Sequence, residues 1–465
     1  MRARLVLLAA ALAAFGGSLG SGFHFDDYAI FSPGGRETRP LTFLTFWLNR
    51  QLGGDNPAGF HTLNLALHLA AGLLLYECLR RLIPPRPALI AAAIFAVHPI
   101  QAESVDYIWG RSIMLAAALC FAALLCWIAG YRWLAVVCFA GALLAKEEVA
   151  AFPLVLWLMD RPAGGKIRPP APQTLVMLLL SLAAGLHVMY VAAVTPGSTA
   201  GAHAGITPWN YFLAQGAVVW RYLRLLVIPY GFTVDPEVVI PPPWLGITAW
   251  IAVVALLFVA WRARRDWSIW LIAGFVLLIP SSTIFPAADL AADRRLYLPL
   301  AAFAAAAALP LARVRWKAIA PAVVVVLTAV AFARTQVWMT EESLWREAVE
   351  RAPNKVRPRI QLARQVPPTE ALALLADARR LAPSDPFVAA ETGKVLLAAN
   401  RPAEALAEFG RALALDPRDA RNYNNRGVAL QALGQTEVAR EDFLRALAID
   451  PNLSTARDNL SRIAH

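Results

Sequence analysis

Apolar stretches of membrane-spanning length recur through the first 339 residues, and no fold built on one soluble core takes that many. They fall near 5–20, 62–83, 87–101, 112–130, 133–146, 148–160, 173–194, 245–261, 267–285, 297–312 and 317–334. Lipid cannot hydrogen-bond a bare backbone, so runs like these close their own bonds as helices. The chain is 58% hydrophobic and 16% charged, against about 45–50% and about 25% in soluble domains. The expectation is an all-α fold, with a polytopic membrane domain of about eleven spans over 1–339 and a soluble tail over 340–465.

Charge gives the orientation. With the N-terminus in the cytoplasm, the loops on that side carry fifteen basic residues against three acids, Arg80, Arg81, Arg161, Lys166, Arg168, Arg262, Arg315 and Lys317 among the basic ones. An odd number of spans then puts the tail on the outer face. The formal charge of +11 sits in short loops between apolar runs, so the implied partner is membrane lipid and not nucleic acid. The stretch 209–229 reads as a helix at the outer interface, because Arg221 and Arg224 share one face. The first run has a second reading as a signal peptide with Arg2 and Arg4 in its n-region. Cys78, Cys120, Cys126 and Cys138 lie inside apolar runs and have no metal-ligand spacing.

The tail repeats. Pro383, Pro417 and Pro451 are 34 residues apart, with Pro353 upstream, and eight residues before each stands Trp345, Leu375, Phe409 or Phe443. Gly393 and Gly427 keep the same 34-residue period, which is the tetratricopeptide pattern of stacked helix pairs. Such an α-solenoid offers a concave surface to peptide or protein segments.

Ionisable groups at membrane depth are expensive and so become candidates for function. Asp26 and Asp27 follow the first run directly, placed for a general base with a companion carboxylate. The pair also suits a divalent cation, and whether a metal is used stays open. His61, Asn64 and His68 share one helical face; His98, Glu103, Asp106 and Arg111 cluster after the third run. Lys146 and Glu147 interrupt an apolar run, and Arg221, Arg224, Arg294, Arg295 and Tyr297 follow. Basic residues gathered at one face favour a phosphate or pyrophosphate anion. No phosphate-binding loop of the G-x-x-x-x-G-K-[ST] kind, no H-E-x-x-H zinc pair and no dinucleotide fingerprint is present.

These blocks resemble a family. "FHFDDYAIF", "HPIQAESVDYIWGRS", "LLAKEEVAAFPLVL", "RYLRLLVIPYGFTVD" and "DRRLYLPLAAF", followed by the repeats, look like the tetratricopeptide-bearing membrane O-mannosyltransferases of the GT-C superfamily. The resemblance implies an inverting transfer of a sugar, mannose by default, from a polyprenyl-phosphate donor to Ser or Thr hydroxyls of exported protein. It places the base at Asp26 and its companion at Asp27. Donor phosphate would meet Arg111, Lys146 and Arg294, then Arg221, Arg224 and Arg295. Other substrate contacts fall to His98, Glu103, Glu147, His61, Asn64 and Tyr297. Lipid-linked sugar and an acceptor protein held by the repeats are the implied partners. The implied home is a bacterial inner membrane with periplasmic repeats, or alternatively the endoplasmic reticulum. Rival readings are a lipid-linked oligosaccharide ligase or transporter and a non-enzymatic scaffold.

Overall fold

The structure is a computed structural model describing residues 1–31, 38–160, 169–195, 201, 205–314 and 318–463. Among these residues it is all-α, with no β-strand. It divides into two compact units, Met1–Thr340 and Glu341–His465.

The first unit holds α1 (Arg2–Phe15), α2 (Pro40–Gly53), α3 (Pro57–Leu82), α4 (Pro85–Val97), α5 (Ala102–Val105), α6 (Arg111–Ile128) and α7 (Arg132–Ala145). There follow α8 (Phe152–Met159), α9 (Pro172–Val194), α10 (Pro208–Val227), α11 (Pro243–Ala263), α12 (Asp266–Leu278), α13 (Tyr297–Leu311) and α14 (Ile319–Val337). Proline opens α2, α3, α4, α9, α10 and α11, at the position where its missing N–H would have had no helical partner.

Six stretches are long and apolar enough to cross a membrane: Arg2–Gly20, Pro57–Leu82, Ile108–Ile128, Pro172–Val194, Pro243–Ala263 and Ile319–Val337. A seventh is a pair, Pro85–Val97 with Pro99–Val105, bent by 45°. This is a multi-pass membrane protein. Each of the eleven apolar runs carries helix, but α4 and α12 have 13 residues each, α7 has 14 and α8 has 8. At 1.5 Å per residue the last two reach about 21 and 12 Å, less than the ~30 Å hydrocarbon core. Lys146 and the 3-10 turn Glu147–Ala151 separate them. Arg161, Lys166, Arg168, Arg315 and Lys317, which entered the charge reading, lie outside the described residues.

Two helices are held by several neighbours. The 209–229 segment is α10, and it pairs along α11: Trp250 Nε1 donates to Phe212 O at 2.8 Å and Trp220 Nε1 to Ala249 O at 3.0 Å. Gly216 and Gly246 make the approach possible, since a Cβ on Gly216 would lie 2.9 Å from the Gly246 carbonyl oxygen. The segment packs closely along α11. The other helix, α2, lies across the ends of three neighbours. Thr42 Oγ1 donates to the carbonyl of Ala145, the last residue of α7, at 2.9 Å. Arg111, the first residue of α6, donates to Thr45 O at 3.3 Å, and Phe46 packs on Phe60 in the first turn of α3. The outward face of α2 shows Leu44, Trp47, Leu48 and Leu52.

The second unit holds α15 (Glu341–Arg351), α16 (Val356–Ala363), α17 (Pro368–Leu381), α18 (Pro386–Ala398), α19 (Pro402–Leu415), α20 (Ala420–Ala432), α21 (Thr436–Ile449) and α22 (Ser454–Ile463). Pro353, Pro383, Pro417 and Pro451 all stand in turns after a helix, and Trp345, Leu375, Phe409 and Phe443 are all buried. A Cβ on Gly393 would sit 2.7 Å from the Phe409 ring, and one on Gly427 would sit 2.6 Å from the Phe443 ring. Only glycine lets the two helices of a pair close on that ring.

Candidate active site

The chain leaves α1 through the 3-10 turn Gly16–Gly20 and enters a second 3-10 turn, Phe25–Phe31, which carries the two acids. They have opposite environments. Asp27 is fully buried, and both its oxygens are occupied: Oδ2 accepts the His24 N–H at 2.9 Å and Oδ1 the Trp109 N–H at 2.8 Å. The Asp27 N–H in turn donates to His24 O at 2.6 Å, which closes the turn on itself. Burial pushes the Asp27 carboxyl up to about 8, although the backbone donors pull the other way. Asp26, one residue earlier, is exposed.

Tyr107 links this turn to the basic residues. Its ring stacks on Phe25 at 5.0 Å. Burial raises its phenol well above the usual value, the charges of Asp26 and Asp27 add to the rise, and Arg294 opposes it. The exposed acid and Arg294 therefore lie within electrostatic reach of one phenol.

Around Arg294 the structure gathers Arg39, Lys146, Arg221, Arg294 and Arg295, each with an acid in range. Arg39 grips Glu147 with two bonds of 3.1 and 2.7 Å. Lys146 lies 3.3 Å from Glu148, Arg221 lies 2.6 Å from Asp293, and Arg294 pairs with Glu103 and, at 3.7 Å, Asp289. Arg295 feels the charge of Glu148 and donates to the Asp289 and Leu290 carbonyls at 2.7 and 3.1 Å. Burial opposes ionisation of Glu147, but Arg39 holds it down to about 2. Five cations meet five carboxylates, where the sequence had suggested an excess of positive charge. The reason is that a cation in low dielectric needs a counter-charge. The acids are of two kinds: Glu103 and Asp293 are 4% exposed, whereas Glu147, Glu148 and Asp289 are 22%, 23% and 34% exposed.

Several residues singled out by sequence are placed elsewhere. Arg111 is fully buried, with its donors spent on Asn64 Oδ1, Asn49 Oδ1, Phe60 O and Thr45 O, and its guanidinium lies 4.6 Å from the Phe46 ring centre. It ties α2, α3 and α6 together and faces no open space for a phosphate. Asn64 continues that tie by donating to Tyr107 O at 3.1 Å. His61 lies under the acidic turn, with Nε2 3.1 Å from Gly22 O. His98 is held by Leu226 O and by the Ile100 N–H. Tyr297 bonds His68 inside the bundle at 2.8 Å, and Arg224 donates to Tyr230 O at 3.0 Å. The sequence reading missed Arg39, whose partner is 108 positions away. It counted no nucleophile elbow; Gly16-Gly17-Ser18-Leu19-Gly20 spells G-x-S-x-G but forms a 3-10 turn with Ser18 buried, not a strand-to-helix elbow. Among the described residues no group of three or more His, Cys, Asp or Glu side chains is arranged to hold a metal ion.

Comparison with known proteins agrees with the motifs. Family profiles described as "TPR repeat" and "Tetratricopeptide repeat" match residues 393–434 and 420–453. The chain is 37% identical over 133 residues to "Protein O-mannosyl-transferase Tmtc1" of Drosophila melanogaster, covering 26% of this chain and 15% of that one. It is 40% identical over 122 residues to human "Protein O-mannosyl-transferase TMTC1", covering 26% and 13%. Against Drosophila "Protein O-mannosyl-transferase Tmtc2" it is 31% identical over 212 residues, covering 41% and 22%. The matched stretches span less than a quarter of each of these relatives. Among solved structures, the first TPR domain of human RPAP3 is 23% identical with a TM-score of 0.24, covering 24% of this chain and 92% of that domain. MamA is 18% identical with a TM-score of 0.25, covering 26% and 74%. The chain is similar to tetratricopeptide-bearing protein O-mannosyl-transferases.

Proposed function

We propose that the chain is an inverting membrane glycosyltransferase, moving a sugar, mannose by default, from a polyprenyl-phosphate donor to Ser or Thr hydroxyls of exported protein. The observation that carries this reading is the division of the acid pair. Asp27 is buried and holds the turn, whereas Asp26 is exposed at a place an acceptor hydroxyl can reach. A carboxylate there takes the hydroxyl proton as the oxygen attacks the sugar carbon. The phosphate leaves with its charge already developed, so one base suffices, unlike the two-carboxylate hydrolases. Arg294, Lys146 and Arg39 are the cations for that phosphate, which displaces the more open Glu147 and Glu148. Glu103 and Asp293, the buried acids, keep Arg294 and Arg221 in place. The relatives carry the activity in their names, and the repeats suit recruitment of the acceptor protein. On this reading the acidic turn and the repeats face the periplasm of a bacterial cell.

The test is transfer of radiolabelled mannose from polyprenyl-phosphate mannose to protein, in membranes holding wild type, Asp26→Asn or Asp27→Asn. Label that needs Asp26 supports both the class and the base. Absence of label from mannose and glucose donors alike, with folded protein present, overturns the reading.

A further inference from the structure

Trp338 stands at the end of the last apolar helix, where a tryptophan ordinarily sits half out in the membrane interface. Here it is fully buried. Its ring lies 5.7 Å from His24 and 5.8 Å from Tyr107, and its carbonyl accepts the Ser21 hydroxyl at 2.5 Å. The Ser21 oxygen is also 2.9 Å from His24 Nε2. Each residue whose ring Trp338 touches holds one neighbour of Asp26. Tyr107 stacks on Phe25, and the His24 backbone holds the Asp27 carboxyl. One turn earlier, Thr335 donates to Asp106 Oδ2 at 3.0 Å and so fixes the segment that carries Tyr107. Glycines admit this approach: a Cβ on Gly17 would lie 3.2 Å from Gln336 Nε2, and one on Gly20 would lie 3.1 Å from Met339 Cε. The Trp338 indole N–H has no acceptor within the described residues, so the ring acts through its bulk and faces.

We propose that Trp338 is a positioning residue for the acidic turn, bracing both residues that flank Asp26, and that the chain passes into the repeat unit from this brace. The catalytic part rests on the transferase reading; the bracing does not. Glu341, the first residue of the second unit, follows Trp338 by three positions along the chain.

The experiment measures hydrogen exchange and transfer kinetics on the full chain in lipid nanodiscs. Trp338→Ala is expected to speed exchange of backbone amides in 21–31 by about tenfold or more, with α6 and α19–α21 unchanged, because local opening is set by local contacts. Trp338→Phe restores protection to within about twofold, since it keeps a ring in place. With polyprenyl-phosphate mannose as donor, Trp338→Ala lowers kcat by about tenfold while KM for the donor stays within about twofold. Should Trp338→Ala fail to fold, Trp338→Leu, which keeps apolar bulk but removes the ring faces, is read the same way. Unchanged exchange over 21–31 in a folded variant overturns the proposal, and so does faster exchange spread evenly over the first unit. A wild type that transfers no sugar would bring down the transferase reading, while the exchange data would still decide the brace.

Discussion

The acid-and-arginine cluster of the first unit and the repeats of the second are built from the same materials, arginine facing carboxylate, to different ends. In the cluster, Glu103 and Asp293 are buried and each holds a particular arginine. In the repeats, pairs such as Arg401–Glu404 and Arg380–Asp377 lie on the surface one turn apart. There the shape comes from glycine meeting phenylalanine; the surface pairs decorate it, while Arg364–Glu391 and Arg426–Asp442 bury their acids and join separate helices. An ion pair therefore reveals its role through burial and through the distance in sequence that it spans, more than through its geometry.

Substitutions can break or sharpen that contrast. The largest effect is expected from Asp26→Asn, which should cut transfer by roughly 10²–10⁴-fold with the protein still in the membrane, as labelled-sugar transfer would show. Next comes Glu103→Gln, which leaves Arg294 without its buried partner and should cost about 3–5 kcal/mol, read by thermal unfolding in detergent. In the repeats the comparable loss should come from shape: Gly427→Ala meets the Phe443 ring and should cost about 1–3 kcal/mol in the unfolding of the array.

A smaller effect is one of pH. The Asp27 carboxyl, raised from 3.8 to about 8, keeps in the fold a proton that the unfolded chain releases. Its contribution to stability is full below the unfolded value and is lost as pH rises through about 8. Exchange over 21–31, corrected for its intrinsic pH dependence, should quicken as pH rises from about 4 to about 8 and level off above that, and Asp27→Asn should remove that pH dependence. Arg401→Ala, a surface change, should leave the melting temperature of the repeats where it was, and a clear drop would erase the contrast.

The apolar runs and the 34-residue period were legible because both are local patterns: every run landed on helix and every spaced aromatic or leucine was buried. The period also marked Gly393 and Gly427 before any ring was seen against them. The acid pair was legible as a pair only. Two adjacent aspartates look alike in sequence, and what separates them is the N–H of Trp109, 82 positions away. Arg111 seemed as available as Lys146 until Asn49, Asn64 and Phe60 took its donors. Arg39 gave no signal, since six helices, α2 to α7, separate it in sequence from its partner Glu147. Helix α2 escaped notice because its apolar residues are spread around a short segment and form no long run.

The glycine–phenylalanine contacts carry a last consequence. Each closes inside one 34-residue copy, Gly393 with Phe409 and Gly427 with Phe443, and asks nothing of a distant part of the chain. Copy number is therefore a free variable of this architecture. A whole copy can be duplicated or lost with the surviving contacts intact, and what such an edit changes is how much concave surface the array offers.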